Sequence, residues 1–298
     1  GLGARLRQVR TVPYRAPVPV ICVGNLVSGG AGKTPVAMAI ADILAEMGLK
    51  PAFLSKGFGG DLHGPVMVSQ DEHDSRAVGD EPLLLAARHP CWVARDRVTG
   101  AQAAMKAGAT ALVMDDGFQN PALVKDMALI VVDGATGFGN GRLIPAGPLR
   151  EPVQAGLARA DAVIRIGDDI AGVCDTVGDG CPVLTARLVP DRDAAAFAGR
   201  KVYAFAGIGL PEKFHATLEE IGAKIVGWRP FPDHHRYTVR QIKSMVFEAG
   251  SLDAKLVTTA KDAVRLPYPE EVGIVRVNLD WDDASAIKNM IAEKIGAA

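Results

Sequence analysis

The chain has 298 residues, 48% of them hydrophobic, with 33 basic and 34 acidic side chains and a formal charge of −1. That is more length than one average domain needs, and enough apolar content for a sizeable core. The balanced charge argues against a nucleic-acid binder, which would carry a basic excess, and no apolar run approaches the length of a membrane-spanning helix.

Residues 1–15 hold Arg5, Arg7, Arg10 and Arg15 and no acid. This arm reads equally as the tail of a longer basic amphipathic segment for an anionic lipid surface or as a solvated arm. The apolar run Val18–Val23 then predicts a strand. It leads into Gly29-Gly30-Ala31-Gly32-Lys33-Thr34, and a helical pattern follows over Pro35–Met47. Strand, glycine loop, Gly-Lys-Thr and helix is the layout of a phosphate-binding P-loop. Glycines let backbone N–H groups turn toward one anion, and the helix N-terminus adds partial positive charge. Lys33 can reach the outer phosphates, and the Thr34 hydroxyl can ligate Mg²⁺. The spacing is unusual: Val27 stands where a first glycine is usual, and Ser28 where a related variant has lysine.

Further along, β-rich runs at Ala52–Leu54, Cys91–Ala94, Ala111–Met114, Leu129–Val132 and Ala162–Ile166 alternate with helical patterns at Glu81–Arg88 and Val98–Ala107. Continuous apolar strands with helices between them predict a mostly parallel sheet covered on both faces. Ser55-Lys56-Gly57-Phe58-Gly59-Gly60 is a second glycine loop that can admit an acceptor closely. Asp80, just before a helix, reads as an N-cap or as a general base. Asp115-Asp116-Gly117 ends a strand with two carboxylates, where a P-loop protein holds Mg²⁺ or its water. Gln119 follows, open to phosphate, nucleotide or acceptor. In the proline-punctuated loop Leu143–Pro152, Arg150 can clamp phosphate oxygens and Glu151 can approach the metal. Cys22, Cys91, Cys174 and Cys181 form no Cys-x-x-Cys pair and read as buried or incidental thiols in a reducing compartment.

The Gly- and Asp-rich stretch 171–182 breaks the pattern, and a second series follows: strand Val202–Ala206, helix Pro211–Ile221, strand Lys224–Val226, helix Val239–Ala249 and strand Leu256–Thr258. The expected fold is therefore α/β: a P-loop domain over residues 1–190 and a smaller α/β domain over 191–298. Val183–Val189 and Gly273–Leu279 are candidate crossings between them. Phe231-Pro232-Asp233-His234-His235 places two histidines beside an acid, but no further His or Cys stands at zinc-ligand spacing. An Asp–His pair and a surface turn are the readings left.

Together these segments resemble the tetraacyldisaccharide 4'-kinase family. The resemblance rests on Val23-Gly24-Asn25-Leu26 with the Gly29–Pro35 loop, Ser55–Gly60, Val78–Pro82, Asp115–Gln119, Pro145–Pro152, Phe205–Gly209, Phe231–His235 and Thr259–Val264, in family order. It implies transfer of the ATP γ-phosphoryl to the 4'-hydroxyl of a tetraacylated glucosamine disaccharide 1-phosphate in lipid A biosynthesis. It also implies Mg²⁺, peripheral work at the cytoplasmic face of the bacterial inner membrane, and an active site in a cleft between two domains. The family's catalytic aspartate falls on Asp80 and its partner histidine on His234, with Lys33 as the P-loop lysine. Nucleotide contacts fall on Gly29, Gly30, Ala31, Gly32, Lys33, Thr34 and Gln119. Metal-associated groups fall on Thr34, Asp115, Asp116 and Glu151, and acceptor contacts on Lys56, Phe58, Gly59 and Arg150. Two departures stand out. Lys56 and Phe58 occupy positions where the family usually has Arg and Tyr, and the family's usual hydrophobic N-terminal helix does not precede the Arg-rich arm. Nothing in the sequence marks an obligate protein partner. The rival reading is a P-loop switch ATPase or GTPase that regulates a partner protein, although no guanine-reading Asn-Lys-x-Asp is present.

Overall fold

The apolar runs form strands that are largely buried, those at Val20–Gly24, Pro51–Ser55, Ala111–Asp115 and Met127–Asp133 at every residue. In a computed structural model, which describes residues 12–296, β1 (Val20–Gly24), β2 (Pro51–Ser55), β3 (Val66–Met67), β4 (Cys91–Val93), β5 (Ala111–Asp115), β6 (Met127–Asp133), β7 (Ala162–Ile166), β8 (Val183–Pro190) and β13 (Val277–Trp281) make one sheet. Its order is β13-β8-β7-β6-β1-β5-β2-β4-β3. β1, β5 and β6 are buried at every residue, as expected of central parallel strands covered on both faces. β1 pairs in parallel with β5 on one side and β6 on the other. The chain thus leaves β1 at a point where the strand order reverses, the usual ligand crevice of an open α/β sheet.

The helix Lys33–Glu46 covers this sheet. It buries Val36, Ala37, Ile40, Ala41, Ile43 and Leu44, a stripe at helical spacing. The basic arm expected over 1–15 lies, up to residue 11, outside the described residues. Arg15 is described, and its guanidinium pairs with Asp126 at 2.9 Å.

A second sheet is wholly parallel, in the order β10-β9-β11-β12, from β9 (Lys201–Ala206), β10 (Lys224–Pro230), β11 (Lys255–Thr259) and β12 (Gly273–Val275). The helices Pro211–Glu220 and Val239–Ser251 accompany it, the latter started by a capping box between Thr238 and Gln241. Two compact units result: one runs to Leu188 and resumes at Leu279, the other spans Val189–Asn278. The smaller unit is therefore an insertion, whereas the sequence placed all of 191–298 in it. The reason is physical. β13 pairs into the first sheet, and the helix Ala284–Ile295 that follows buries Ile287 and Ile291. Among the described residues, no helix is long and apolar enough to cross a membrane.

Candidate active site

β1 ends at Gly24, and the loop to Gly32 turns over its carboxyl end. Gly32 caps the next helix in the left-handed region at φ 86°, where a side chain would be strained. No side chain caps this helix and no acid occupies its first turn, so its partial positive charge is left for an anion. A Cβ at Gly29 or Gly30 would meet nothing within 4 Å, so the loop faces open space there. Lys33 curls back along the loop, with Nζ 3.4 Å from the Gly29 carbonyl oxygen and 3.8 Å from Asp116 Oδ1.

Register brings the carboxylates to this loop. Val23 sits opposite Asp115 in the β1–β5 ladder, so Asp115 ends its strand beside the start of the P-loop. Thr34 Oγ1 donates to Asp115 Oδ2 at 3.5 Å. Asp115 is buried, and its Oδ1 has no hydrogen-bond partner. Burial pushes its carboxyl up to about 7; the Lys33 ammonium opposes this, and Asp116 and Glu81 add to it. These donors suit Mg²⁺. An orphaned buried acceptor is what a cation or its water would satisfy. Among the described residues, no group of three or more His, Cys, Asp or Glu side chains could hold a metal ion. Mg²⁺ does not ask for one, since it keeps waters and takes one or two carboxylates plus substrate phosphates.

Asp116 adopts a left-handed φ of 53° and turns the other way. Arg150 grips both of its oxygens, at 2.8 and 3.0 Å. Backbone pairing explains how residues so far apart in sequence meet. Ser28 N donates to Pro148 O and Arg150 N to Leu26 O, both at 2.8 Å, which stitches the proline loop to the P-loop. Gln119 Nε2 donates to Asn25 O at 2.9 Å and to Glu151 Oε1 at 3.1 Å. Glu151 also pairs with Arg159 at 2.9 Å. Of the four residues expected near a metal, the structure thus joins Thr34 with Asp115. Asp116 and Glu151 are held by cationic side chains instead.

The second glycine loop borders the same unit's Asp80. Asp61 N donates to Arg76 O at 2.8 Å and Leu62 N to Ala77 O at 2.9 Å, so the chain after Gly57 runs along residues 76–79. A Cβ on Gly79, at φ 90°, would come within 2.5 Å of Phe58 O, so only glycine fits. Lys56, Phe58 and Gly59 are exposed. Asp80 is not the helix N-cap that the sequence allowed. Gly79 holds that place, and Asp80 is the buried first residue of the helix Asp80–Ala86.

In the smaller unit, His234 lies exposed in the turn after β10, at a left-handed φ of 57°. Its Nε2 is 3.7 Å from Asp233 Oδ2. Behind the turn lies a buried network around Asp262, Tyr237 and Arg265. Asp262 falls in the Thr259–Val264 stretch, and nothing local in the sequence distinguishes it from a helix-start acid. Asn25 likewise stands in the Val23–Leu26 stretch without a local mark of its role, and Arg97 lies outside every motif. Asn25 is buried, its Nδ2 donates to Gly29 O at 3.4 Å, and its Oδ1 lacks a partner. Arg97 is buried and donates to Ala94 O at 2.5 Å; burial lowers its pKa, and Asp115 is the leading opposing charge.

Residues 2–296 match the family described as tetraacyldisaccharide-1-P 4'-kinase. The chain belongs to that family. It is 54% identical to the tetraacyldisaccharide 4'-kinase of Rhodospirillum centenum over 293 residues, covering 97% of this chain and 87% of that one. It is 51% identical to the corresponding enzyme of Paramagnetospirillum magneticum, covering 99% and 92%. A crystal structure of LpxK from Aquifex aeolicus in complex with ATP superposes with a TM-score of 0.77 at 25% identity, covering 99% of this chain and 94% of that one. The switch ATPase or GTPase alternative is not favoured by these matches.

Proposed function

We propose that this protein transfers the γ-phosphoryl of ATP to the 4'-hydroxyl of a tetraacylated glucosamine disaccharide 1-phosphate, a step of lipid A biosynthesis. The observation that carries this reading is the family match across residues 2–296. The ATP complex of the Aquifex aeolicus relative supports ATP as donor. In this reading the Gly29–Gly32 backbone and Lys33 hold the outer phosphates, with Gln119 near the nucleotide. Thr34 and Asp115 are the residues that would hold Mg²⁺, which when bound would neutralise charge developing on the transferring phosphoryl group. Arg150 passes from Asp116 to a phosphate oxygen, and Glu151 keeps Gln119 and Arg159 in place.

Asp80 takes the proton of the 4'-hydroxyl as that oxygen bonds to the γ-phosphorus. The bond to the bridging oxygen breaks, and ADP leaves with that electron pair. His234 is the histidine that the family resemblance pairs with this base. Lys56, Phe58 and Gly59 meet the acceptor, and the basic arm works at the cytoplasmic face of the inner membrane. With γ-labelled ATP, Mg²⁺ and the acylated disaccharide 1-phosphate, the expected product is a labelled lipid. Label released only as inorganic phosphate would support a hydrolytic switch instead.

Asp80→Asn separates the two roles considered for this carboxylate. An amide keeps the size of the side chain at the helix start but cannot accept the proton. The turnover number should fall by roughly a hundredfold or more, with a melting temperature within a few degrees of the parent. Retention of most activity would remove Asp80 from the chemistry.

A further inference from the structure

His234 occupies a conformation that a non-glycine residue rarely adopts, with φ at 57°. Such a backbone persists only where its surroundings over-determine it. Here the restraint can be traced. His234 N donates to Asp233 Oδ1 at 3.0 Å and to Gly207 O at 3.1 Å. Gly207 O also accepts from Arg265 Nη2 at 3.0 Å, and Arg265 Nη1 donates to His235 O at 3.0 Å. The guanidinium thus holds the carbonyl that receives His234 N and the carbonyl of the next residue in the turn.

Arg265 is in turn fixed by Asp262, which is wholly buried. Asp262 Oδ1 accepts from Arg265 Nη2 at 2.8 Å, Tyr237 OH at 2.6 Å and Gly207 N at 2.9 Å. Its Oδ2 accepts from Thr259 Oγ1 at 2.6 Å. Burial, and then the Asp262 carboxylate, raise the Tyr237 phenol above its ordinary range, so it stays a donor. Aromatic packing closes the turn: the His235 ring stacks on Phe231 at 4.5 Å, and Tyr237 meets both rings edge-on. Every one of these residues lies within the Val189–Asn278 unit. The network joins the loops that follow β9, β10 and β11, at the carboxyl ends of three parallel strands.

A buried ion pair is weak support for stability, since well-packed apolar residues often serve as well. What apolar residues could not do is grip Gly207 N, Gly207 O and His235 O at once. We infer that Asp262 and Arg265 are positioning residues that fix the His234 turn for catalysis, with Tyr237 as their third member. The inference rests on the proposed role of His234.

The test uses the full chain with His234→Ala, Tyr237→Phe, Arg265→Lys and Asp262→Asn, singly and each of the last three combined with His234→Ala. Arg265→Lys and Asp262→Asn should lower kcat about tenfold while KM for ATP stays within about twofold. Tyr237→Phe, which keeps the ion pair, should lower it by about threefold. In the His234→Ala background each should cost little more, because residues acting as a unit are non-additive. The His234 ring signals in histidine-selective NMR should shift in each single variant. Should Asp262→Asn fail to fold, Tyr237→Phe and Arg265→Lys carry the comparison. Defects that multiply with His234→Ala, or melting temperatures that drop with kcat and the ring signals unchanged, would overturn the inference. A fully active His234→Ala would instead refute the role of His234, and the ring signals alone would then decide whether the network positions the turn.

Discussion

Lys33→Ala is expected to reduce phosphoryl transfer by roughly a thousandfold, the scale seen when a preorganised charge or donor is removed from a transition state, and to leave the fold intact. The Lys33 ammonium reaches the Gly29 carbonyl at 3.4 Å and the Asp116 carboxylate at 3.8 Å. Neither contact is needed to hold the loop. Gly32 still starts the helix, Ser28 and Leu26 remain stitched to the proline loop, and Asp116 keeps its two bonds from Arg150. The charge at the helix start is what disappears. Arg150 shares Asp116 with Lys33, but it comes from a different loop and in the proposed reaction already has its own phosphate oxygen to hold. Single-turnover assays with labelled ATP, run beside thermal melting, check both halves of the expectation. A folded variant with near-parental turnover would defeat the P-loop assignment.

The P-loop was legible because its chemistry is local. Gly29–Thr34 lie in one turn, and the flanking strand and helix are each marked by their own apolar spacing. Asp115 was legible for a similar reason, as an acid closing a wholly apolar strand. The sequence did not say which carboxylate of the Asp115–Asp116 pair faces Thr34. That choice follows from the register of β1 against β5 and from the left-handed turn at Asp116, which hands its oxygens to Arg150. The return of Leu279–Ala298 to the first unit was hidden for a different reason. β13 has a mixed, half-exposed pattern, VNLDW, without the continuous apolar run that marks a central strand. The Asp262 network was hidden because its four donors come from three loops more than fifty residues apart at their extremes. Only the parallel sheet brings those loop ends together.

Asp115→Asn should have two opposite effects, and their combination is diagnostic. Transfer should fall by roughly a hundredfold to a thousandfold, because the amide is a poor ligand for Mg²⁺ and its waters. The ligand-free variant should nevertheless be more stable than the parent at pH 8. Burial raises the Asp115 carboxyl from 3.8 to about 7, so between about pH 4 and pH 7 the folded state holds a proton that the unfolded chain has lost. Stability therefore falls as pH rises through that window and levels off above it. The shift of about three units corresponds to as much as about 4 kcal/mol at pH 8, carried by the parent and absent from the amide. Towards pH 4 the difference should shrink, since the parent's carboxyl is then protonated when folded and increasingly protonated when unfolded. Melting curves at pH 5 and pH 8, each with and without Mg²⁺ and ATP, resolve the terms. The variant should melt higher than the parent at pH 8 without ligand and gain less than the parent when Mg²⁺ and ATP are added. A variant that melts lower than the parent at pH 8, or one that keeps full Mg²⁺-dependent transfer, would show that Asp115 is a structural acid and not the group poised for the cation.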